Sequence, residues 1–391
     1  MIAKSLQGIT EGDLDELVVN SVAEGKTIEY KKALPGNSDG EKKEFLADVS
    51  SFANTAGGDL IFGVEESQGA PTGIPGLGLP DQDLEVRRLD SLINDGLEPR
   101  IRFGIRIIQR TAKLPALIVR TERSWIGPHR VILKGHDKFY ARNSAGKYPM
   151  DVSELRSAFT LADSVTERVR QFRNERIAQV RKNKTPIVLT PGPSKTMLHC
   201  IPLESFARSV DYDVLKYRQR VTEFSPMVTG SGWGTKINFD GLVTHGVGAD
   251  GSMSYTQLFR NGTIEATEAY WLNVVHNGSR TFPHLAVEQE LLKYLGKLLE
   301  LQKQLGVNPP VIVALTMVGT KGLQMGFDIH SFDRGNPIGE EDLILPETVV
   351  ESFEEPTGKI LKPLFDLVWN ACGYLKSKNF DDQCNWIGRG T

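Results

Sequence analysis

Apolar residues recur at Leu14, Leu17 and Val18 ahead of Glu24, a spacing that predicts a short helix from Leu14 to Val22. Strand-like alternation begins at Thr27. The cluster "ALPGNSDG" (Ala33 to Gly40) reads as a turn, and after it Phe45, Leu46, Val49, Phe52 and Ala53 recur at helical spacing. That helix runs out at Asn54-Thr55-Ala56-Gly57-Gly58, where glycine can take the left-handed cap conformation. "DLIFGV" (Asp59 to Val64) follows as a buried strand. Strand, helix and strand fall within about 40 residues, the size of one compact supersecondary unit.

A Gly/Pro-rich loop, "SQGAPTGIPGLGLPD", leads to a helix expected from Asp83 to Asn94. Beyond it "RIRFGIRIIQR", "PALIVRTE", "HRVILKG" and "KFYARNS" alternate as strands. A short helix is expected from Asp151 to Phe159 and a longer charged one from Ser164 to Lys182, with the pattern broken at "NKTPIVLTPGP" (Asn183 to Pro193). Further on, Asn261-Gly262 supplies the positive backbone angles of a tight hairpin between alternating runs. "LAVEQELLKYLGKLLELQKQLG" reads as an amphipathic helix and "PPVIVALTMVG" as a buried strand. The expected fold is therefore α+β or α/β: a mixed sheet with packed helices over residues 1–160, a connecting helix over 161–184, and a second α/β domain over 185–391.

Composition adds limits. At 391 residues the chain is long enough for two cores, and its apolar and charged fractions are those of a globular protein. No apolar run approaches the roughly 20 residues of a membrane span, and the start "MIAKSLQGIT" lacks a signal-peptide core, so a cytoplasmic chain is expected. Cys200, Cys372 and Cys384 form no CxxC pair, which argues for reduced thiols. The net charge of −3 hides an uneven distribution. Residues 100–147 hold twelve basic side chains against Glu122 and Asp137, whereas residues 183–391 hold 19 basic and 23 acidic. Basic residues spread over consecutive strands attract phosphate, so the first half is the expected nucleic-acid binder.

Cutting a phosphodiester requires an aligned water and stabilisation of phosphoryl charge, and carboxylates holding Mg or Mn supply both. Glu24, Glu29, Lys31 and the pair Glu65-Glu66 have the required types. Side chains alternate on a strand, so an offset of five sends Glu24 and Glu29 to opposite faces. If Glu24 lies in the turn before the strand and Gly25 bends the backbone, both can point to one side. Glu29 and Lys31 share a face without such help. The bland alternative is a solvated turn acid at Glu24 and strand-end acids at Glu65 and Glu66. "GSGWGTK" (Gly230 to Lys236) lacks the Gly-Lys-Ser/Thr end of a phosphate-cradling loop, so no ATP loop is found. The seven histidines form no metal-ligand pair.

"EGKTIEYKK" (Glu24 to Lys32) and "FLADVSSFANTAGGDLIFGVEE", with "GPH" (Gly127 to His129) and "KFYARNSAGKYPM" (Lys138 to Met150), resemble the Schlafen-type AlbA-like domain over roughly Leu14 to Phe159. The resemblance implies that Glu24, Glu29 and Glu66 form a metal-binding catalytic trio with Lys31 beside it. Tyr30 replaces the family's phenylalanine, and Glu66 stands where Schlafens carry aspartate. Animal Schlafens pair two such lobes around a basic groove; here there is one copy, so a homodimer or the second domain would close the groove.

The expectation is a Mg- or Mn-dependent endoribonuclease acting on structured, tRNA-like RNA, with a role in stress or antiviral defence. Lys32, Arg123, His129, Arg130, Lys138 and Arg142 would position the nucleic-acid backbone. The alternative is a DNA- or RNA-binding regulator without catalysis, in which the acids only shape the fold.

Overall fold

A computed structural model describes residues 1–391 apart from 208, 220, 277–278, 327–334 and 389–391. The chain divides into two units, Met1–Ser164 and Val165–Thr391. Their architecture is mixed α and β, as the hydrophobic pattern predicts.

In the first unit, α1 (Glu11–Val19) starts at Thr10, whose backbone N–H donates to the Asp13 carboxylate at 2.8 Å. Strand β1 (Ile28–Lys31) is followed by α2 (Asp39–Ala53), which Ser38 caps by accepting from the Glu41 N–H. Strand β2 (Gly58–Phe62) then runs parallel to β1, with Ile28 opposite Asp59 and Lys31 opposite Phe62. A small hairpin, β3 (Glu65–Ser67) and β4 (Ala70–Gly73), precedes α3 (Gln82–Gly96), which Asp81 caps through the Leu84 N–H. Strand β5 is Leu97–Glu98; β6 (Phe103–Arg110) and β7 (Lys113–Thr121) form a hairpin beside β2. Finally come β8 (Arg130–Val131), β9 (Lys138–Asn143) and β10 (Gly146–Pro149).

These strands make two four-stranded sheets, ordered β1-β2-β7-β6 and β10-β9-β8-β5. The first is buried on both faces, which is why "DLIFGV" and "PALIVRTE" read as continuous apolar runs. Phe45, Leu46, Val49 and Phe52 of α2 pack with Leu60, Phe62, Leu117 and Val119 on one side. Leu14 of α1 packs with Ile28, Tyr30, Ile61 and Ile118 on the other.

The two helices expected over 151–159 and 164–182 are one, Val152–Arg181. No glycine or proline interrupts it, so nothing in the chain forces a break.

The second unit is built on an antiparallel sheet ordered Trp233–Asn238, Gly241–Gly246, Ser254–Phe259, Ile264–Glu268, Lys195–Pro202, Val311–Val318 and Asp342–Ile344, with Thr348–Val350 also pairing the 311–318 strand. Gly262, at φ +83°, turns the Asn261-Gly262 hairpin. Helices His284–Leu305 and Thr357–Ala371 bury leucines and Trp369 in its core. Cys200, Cys372 and Cys384 are free.

Candidate functional site

Alternation on β1 sends Ile28 and Tyr30 into the core beneath α1, and Glu29 and Lys31 to the opposite face, toward α2. Lys31 Nζ lies 2.6 Å from Glu29 Oε1. The other Glu29 oxygen accepts from Nη2 of Arg142 on β9. The buried Arg142 guanidinium also reaches Asp48 Oδ1 and Ser51 Oγ of α2, each at 3.4 Å, and lies 4.2 Å over the Phe52 ring. Lys147 of β10 closes the network on Asp48 at 2.7 Å. Burial by itself would raise the Glu29 carboxyl, but Lys31 and Arg142 outweigh it and hold the group below the usual range. Asp48 is buried more deeply, and there burial prevails over Lys147 and Lys31, so its carboxyl is raised.

Glu24 lies outside the strand, in a turn closed by the Gly25 N–H donating to the Ile28 carbonyl at 3.0 Å. Strand β1 is the edge of its sheet, and Glu24 Oε1 accepts from the Tyr30 N–H at 2.7 Å, as a further strand would. The Glu24 N–H donates to the Gly69 carbonyl at 2.7 Å, and Glu66 Oε2 accepts from the Gly69 N–H at 2.7 Å. Glu24 and Glu66 are therefore tied to the two sides of one residue, Gly69. Burial raises the Glu24 carboxyl; the Tyr30 N–H opposes it, and the charges of Glu29 and Glu66 add to it. Gly25 has a role different from the one expected. Its φ is not positive, and a Cβ there would meet nothing within 4 Å, so the turn does not require glycine.

Among the described residues, no three His, Cys, Asp or Glu side chains gather as a metal site. Both oxygens of Glu29 are held by cations, and one oxygen each of Glu24 and Glu66 by a backbone N–H. Mg and Mn take several unengaged oxygens around one point, so the trio does not fit such an ion in this arrangement.

The basic strands do not present one phosphate face, because most of their cations are turned onto acids. Arg102 pairs with Glu122, Arg110 with Glu11 and Asp15, Arg120 with the buried Asp59, and Arg142 and Lys147 with the network above. Lys32 pairs with Glu65 at 2.6 Å. His129, expected to position the nucleic-acid backbone, is fully buried: its Nδ1 faces the Pro99 carbonyl at 2.7 Å, and its backbone N–H donates to Asn54. Burial lowers its pKa, so it stays neutral in the interior. Arg123 is exposed and lies 4.1 Å over the Trp125 ring.

Of the cations not committed to buried acids, three share the β8–β9 hairpin. It carries Arg130, Lys134 in its turn, and Lys138. Arg130 meets Glu98 and Asp137, and Lys134 meets Asp39 at 2.7 Å, all through exposed ion pairs. His136 stacks on Tyr140 at 5.9 Å and hydrogen-bonds its hydroxyl.

The "FANTAGG" stretch holds this arrangement together. Asn54 donates to the carbonyls of His129 and Tyr140, both at 2.9 Å, while its Oδ1 accepts from the His129 N–H. Thr55 Oγ1 accepts from the Arg142 N–H at 3.0 Å. Gly57 sits at φ +72°, and a Cβ at Gly58 would stand 2.2 Å from the Phe52 ring. Asp48 and Lys147 were missed from the sequence. The readable signal was an acid inside the apolar face formed by Phe45, Val49 and Phe52, a position that burial requires to be paired.

Residues 24–151 match the Schlafen, AlbA_2 family, which points to a nucleic-acid-related function. No curated protein matches the chain. Among solved structures, the DIP2311 protein of Corynebacterium diphtheriae is similar at 16% identity over 38% of this chain and 29% of its own, with a TM-score of 0.25. The N-terminal domain of a protein from Nitrosomonas europaea described as related to the ATP-dependent DNA helicase RecG is similar at 28% identity over 33% of this chain and 84% of its own, with a TM-score of 0.26. The match therefore spans less than a third of the first of these proteins. No helix among the described residues is long and apolar enough to cross a membrane.

Proposed function

We propose, from the premise that residues 24–151 are a Schlafen AlbA_2 domain, that this domain binds structured RNA of the tRNA kind, or DNA, through the β8–β9 hairpin. The observation that carries the reading is the contrast between sequestered and exposed cations. Arg110, Arg120 and Arg142 are committed to buried or half-buried acids, whereas Lys134 and Lys138 stand exposed and Arg130 half-buried on one hairpin, held only by exposed ion pairs. Exposed ion pairs are worth about 0–1 kcal/mol, so phosphate oxygens can replace Glu98, Asp137 and Asp39 at little cost. His136 and Tyr140 add an aromatic pair beside these cations for contact with bases.

The test is a salt series. Binding of tRNA and of duplex DNA is measured by fluorescence anisotropy for the wild-type chain and for Arg130→Ala/Lys134→Ala/Lys138→Ala. Each lost phosphate contact should flatten the plot of log affinity against log salt by roughly 0.7 to 0.9, so the triple variant should lose about 2 to 3 in slope. An unchanged slope removes the hairpin from the interface.

A second reading, a Mg- or Mn-dependent endoribonuclease acting in stress or antiviral defence, is favoured by one observation. Glu24, Glu29 and Glu66 lie near enough to raise the Glu24 carboxyl together, with Lys31 among them. It carries one condition: Lys31 must leave Glu29. Incubation of total tRNA with Mn should give cleavage that Glu66→Gln, an exposed and fold-neutral change, abolishes. Cleavage that is absent from the wild type, or that survives Glu66→Gln, removes this reading and leaves the binding protein. A homodimer closing the groove belongs to the same proposal and would be seen by sedimentation.

A further inference from the structure

At the carboxyl ends of the parallel strands β1 and β2, two loops rich in glycine and proline line an open cavity of about 530 Å³. The loops are residues 32–37 and 75–80; the first turns of α3 supply Glu85 and Arg88. Such a volume lies within the roughly 300–1,000 Å³ of small-molecule sites, and strand ends of this kind are where ligands bind in parallel sheets.

The floor is rigid. The Gly76 N–H donates to the Gly63 carbonyl at 3.0 Å and the Leu77 N–H to the Pro115 carbonyl at 2.8 Å. Gly63, at φ +86°, approaches so closely that a Cβ there would lie 3.0 Å from Gly76 Cα. The walls are apolar, from Leu34, Leu77, Leu79 and the flanking prolines. One polar group is left unanswered. Arg88 Nε donates to Glu85 at 2.9 Å and Nη2 to the Pro35 carbonyl at 2.8 Å, but Nη1 is buried with no partner. A buried guanidinium N–H without an acceptor is costly, and a ligand oxygen or ring nitrogen would satisfy it. Lys32 stands at the rim, and Asp39, which holds the hairpin's Lys134, lies two residues beyond the loop that lines the cavity.

We propose that this cavity receives a single unstacked nucleotide, its base between the apolar walls and bonded to Arg88 Nη1, its phosphate toward Lys32. An apolar slot with an unpartnered donor in its lining and one cation, Lys32, at its mouth has the chemistry of a base splayed out of a strand, as single-stranded recognition requires. The inference rests on the nucleic-acid reading above and adds to it a preference for unpaired nucleotides. A free nucleotide presents the same groups, and the experiment separates the two sources.

Two variants probe the cavity. Gly78→Trp fills it from a position where a Cβ meets nothing within 4 Å, and Arg88→Met removes the donor. The full chain and both variants are titrated with a single-stranded oligonucleotide, with its duplex, and with 5′-mononucleotides. The expected result is a loss of about tenfold or more in single-strand affinity in both variants, the worth of one charge-assisted hydrogen bond or of the slot itself, with duplex affinity unchanged. Wild-type binding to single strands that both variants retain overturns the cavity assignment and leaves the hairpin reading intact. A wild type that binds only duplex does the same. Mononucleotide binding that both variants lose, without polymer binding, keeps the nucleotide site and overturns the nucleic-acid reading. No binding of any of the three overturns both.

Discussion

Removing Arg142 should expose how the first unit is held together. Arg142→Met takes the guanidinium from between Glu29 and Asp48, whose side chains are 11% and 2% exposed. Each acid keeps one cation, Lys31 for Glu29 at 2.6 Å and Lys147 for Asp48 at 2.7 Å, so neither is wholly orphaned. Breaking a buried ion pair by deleting one partner costs about 3–5 kcal/mol. That is a large share of the roughly 5–15 kcal/mol that stabilises a folded chain. For a unit of this size the melting temperature should fall on the order of 10 °C. Urea unfolding followed by circular dichroism measures the free-energy loss, and a thermal scan the shift in melting temperature. The acid limb gives a second, independent readout. In the wild type the Glu29 carboxyl is held low, so its contribution is present above the unfolded value near 4.5 and is lost as pH falls through the lower folded value. Without Arg142 only Lys31 opposes burial, so the group moves up from its lowered position and the stability lost as pH falls through the acid range shrinks. Adding Glu29→Gln to the variant should abolish what remains of that limb. A stability loss under about 1 kcal/mol, or an acid limb identical to that of the wild type, refutes the buried network.

Other consequences are sharper about individual residues. Asn54→Ala leaves two carbonyls and one N–H without partners and should cost about 3 kcal/mol in urea unfolding; a loss under about 1 kcal/mol would mean that water replaces the amide. Gly57→Ala, at φ +72° with a Cβ 2.9 Å from the Arg123 N and the Thr121 carbonyl, should destabilise by more than about 1 kcal/mol, whereas Gly25→Ala should be neutral within about 0.5 kcal/mol; equal effects would refute the assignment. In the second unit the buried Glu288 accepts from Trp369, Ser377 and Asn379, and burial pushes its carboxyl up to about 7. Its stabilisation is full below the unfolded value near 4.5 and lost as pH rises through about 7. The neighbouring His284, lowered by burial to about 4, acts in reverse: its stabilisation is present above about 6.5 and lost as pH falls through about 4. The two offset each other in the wild type. In Glu288→Gln the histidine's loss stands alone, and the second unit should melt at progressively lower temperature from pH 6.5 to pH 4; a flat profile would refute the pairing.

The chain announces its local elements plainly. The helical spacing of Phe45, Leu46, Val49 and Phe52 marks α2, Asn261-Gly262 marks a hairpin, and the apolar run of β2 marks a buried strand, because these depend on neighbours a few residues apart. The resemblance around "FANTAGG" is legible for the same reason: its glycines answer to contacts that only a missing side chain permits. Periodicity could not decide partners. Twelve basic residues between 100 and 147 read as a phosphate-binding face, yet folding turns Arg110, Arg120, Arg142 and Lys147 onto acids drawn from α1, α2, β1 and β2. A buried cation is stable only beside an anion, and which anion lies beside it depends on residues as far apart as Glu29 and Arg142. The relation of Glu24 to Glu29 was likewise a matter of three dimensions. Strand alternation alone sends them to opposite faces, and only the turn at Gly25, tied to Tyr30 and Gly69, brings Glu24 round to the edge where Glu29 and Glu66 act on it. Sequence determines which groups are available; the packing of α2 between β1 and β9 decides which of them remain available to a ligand.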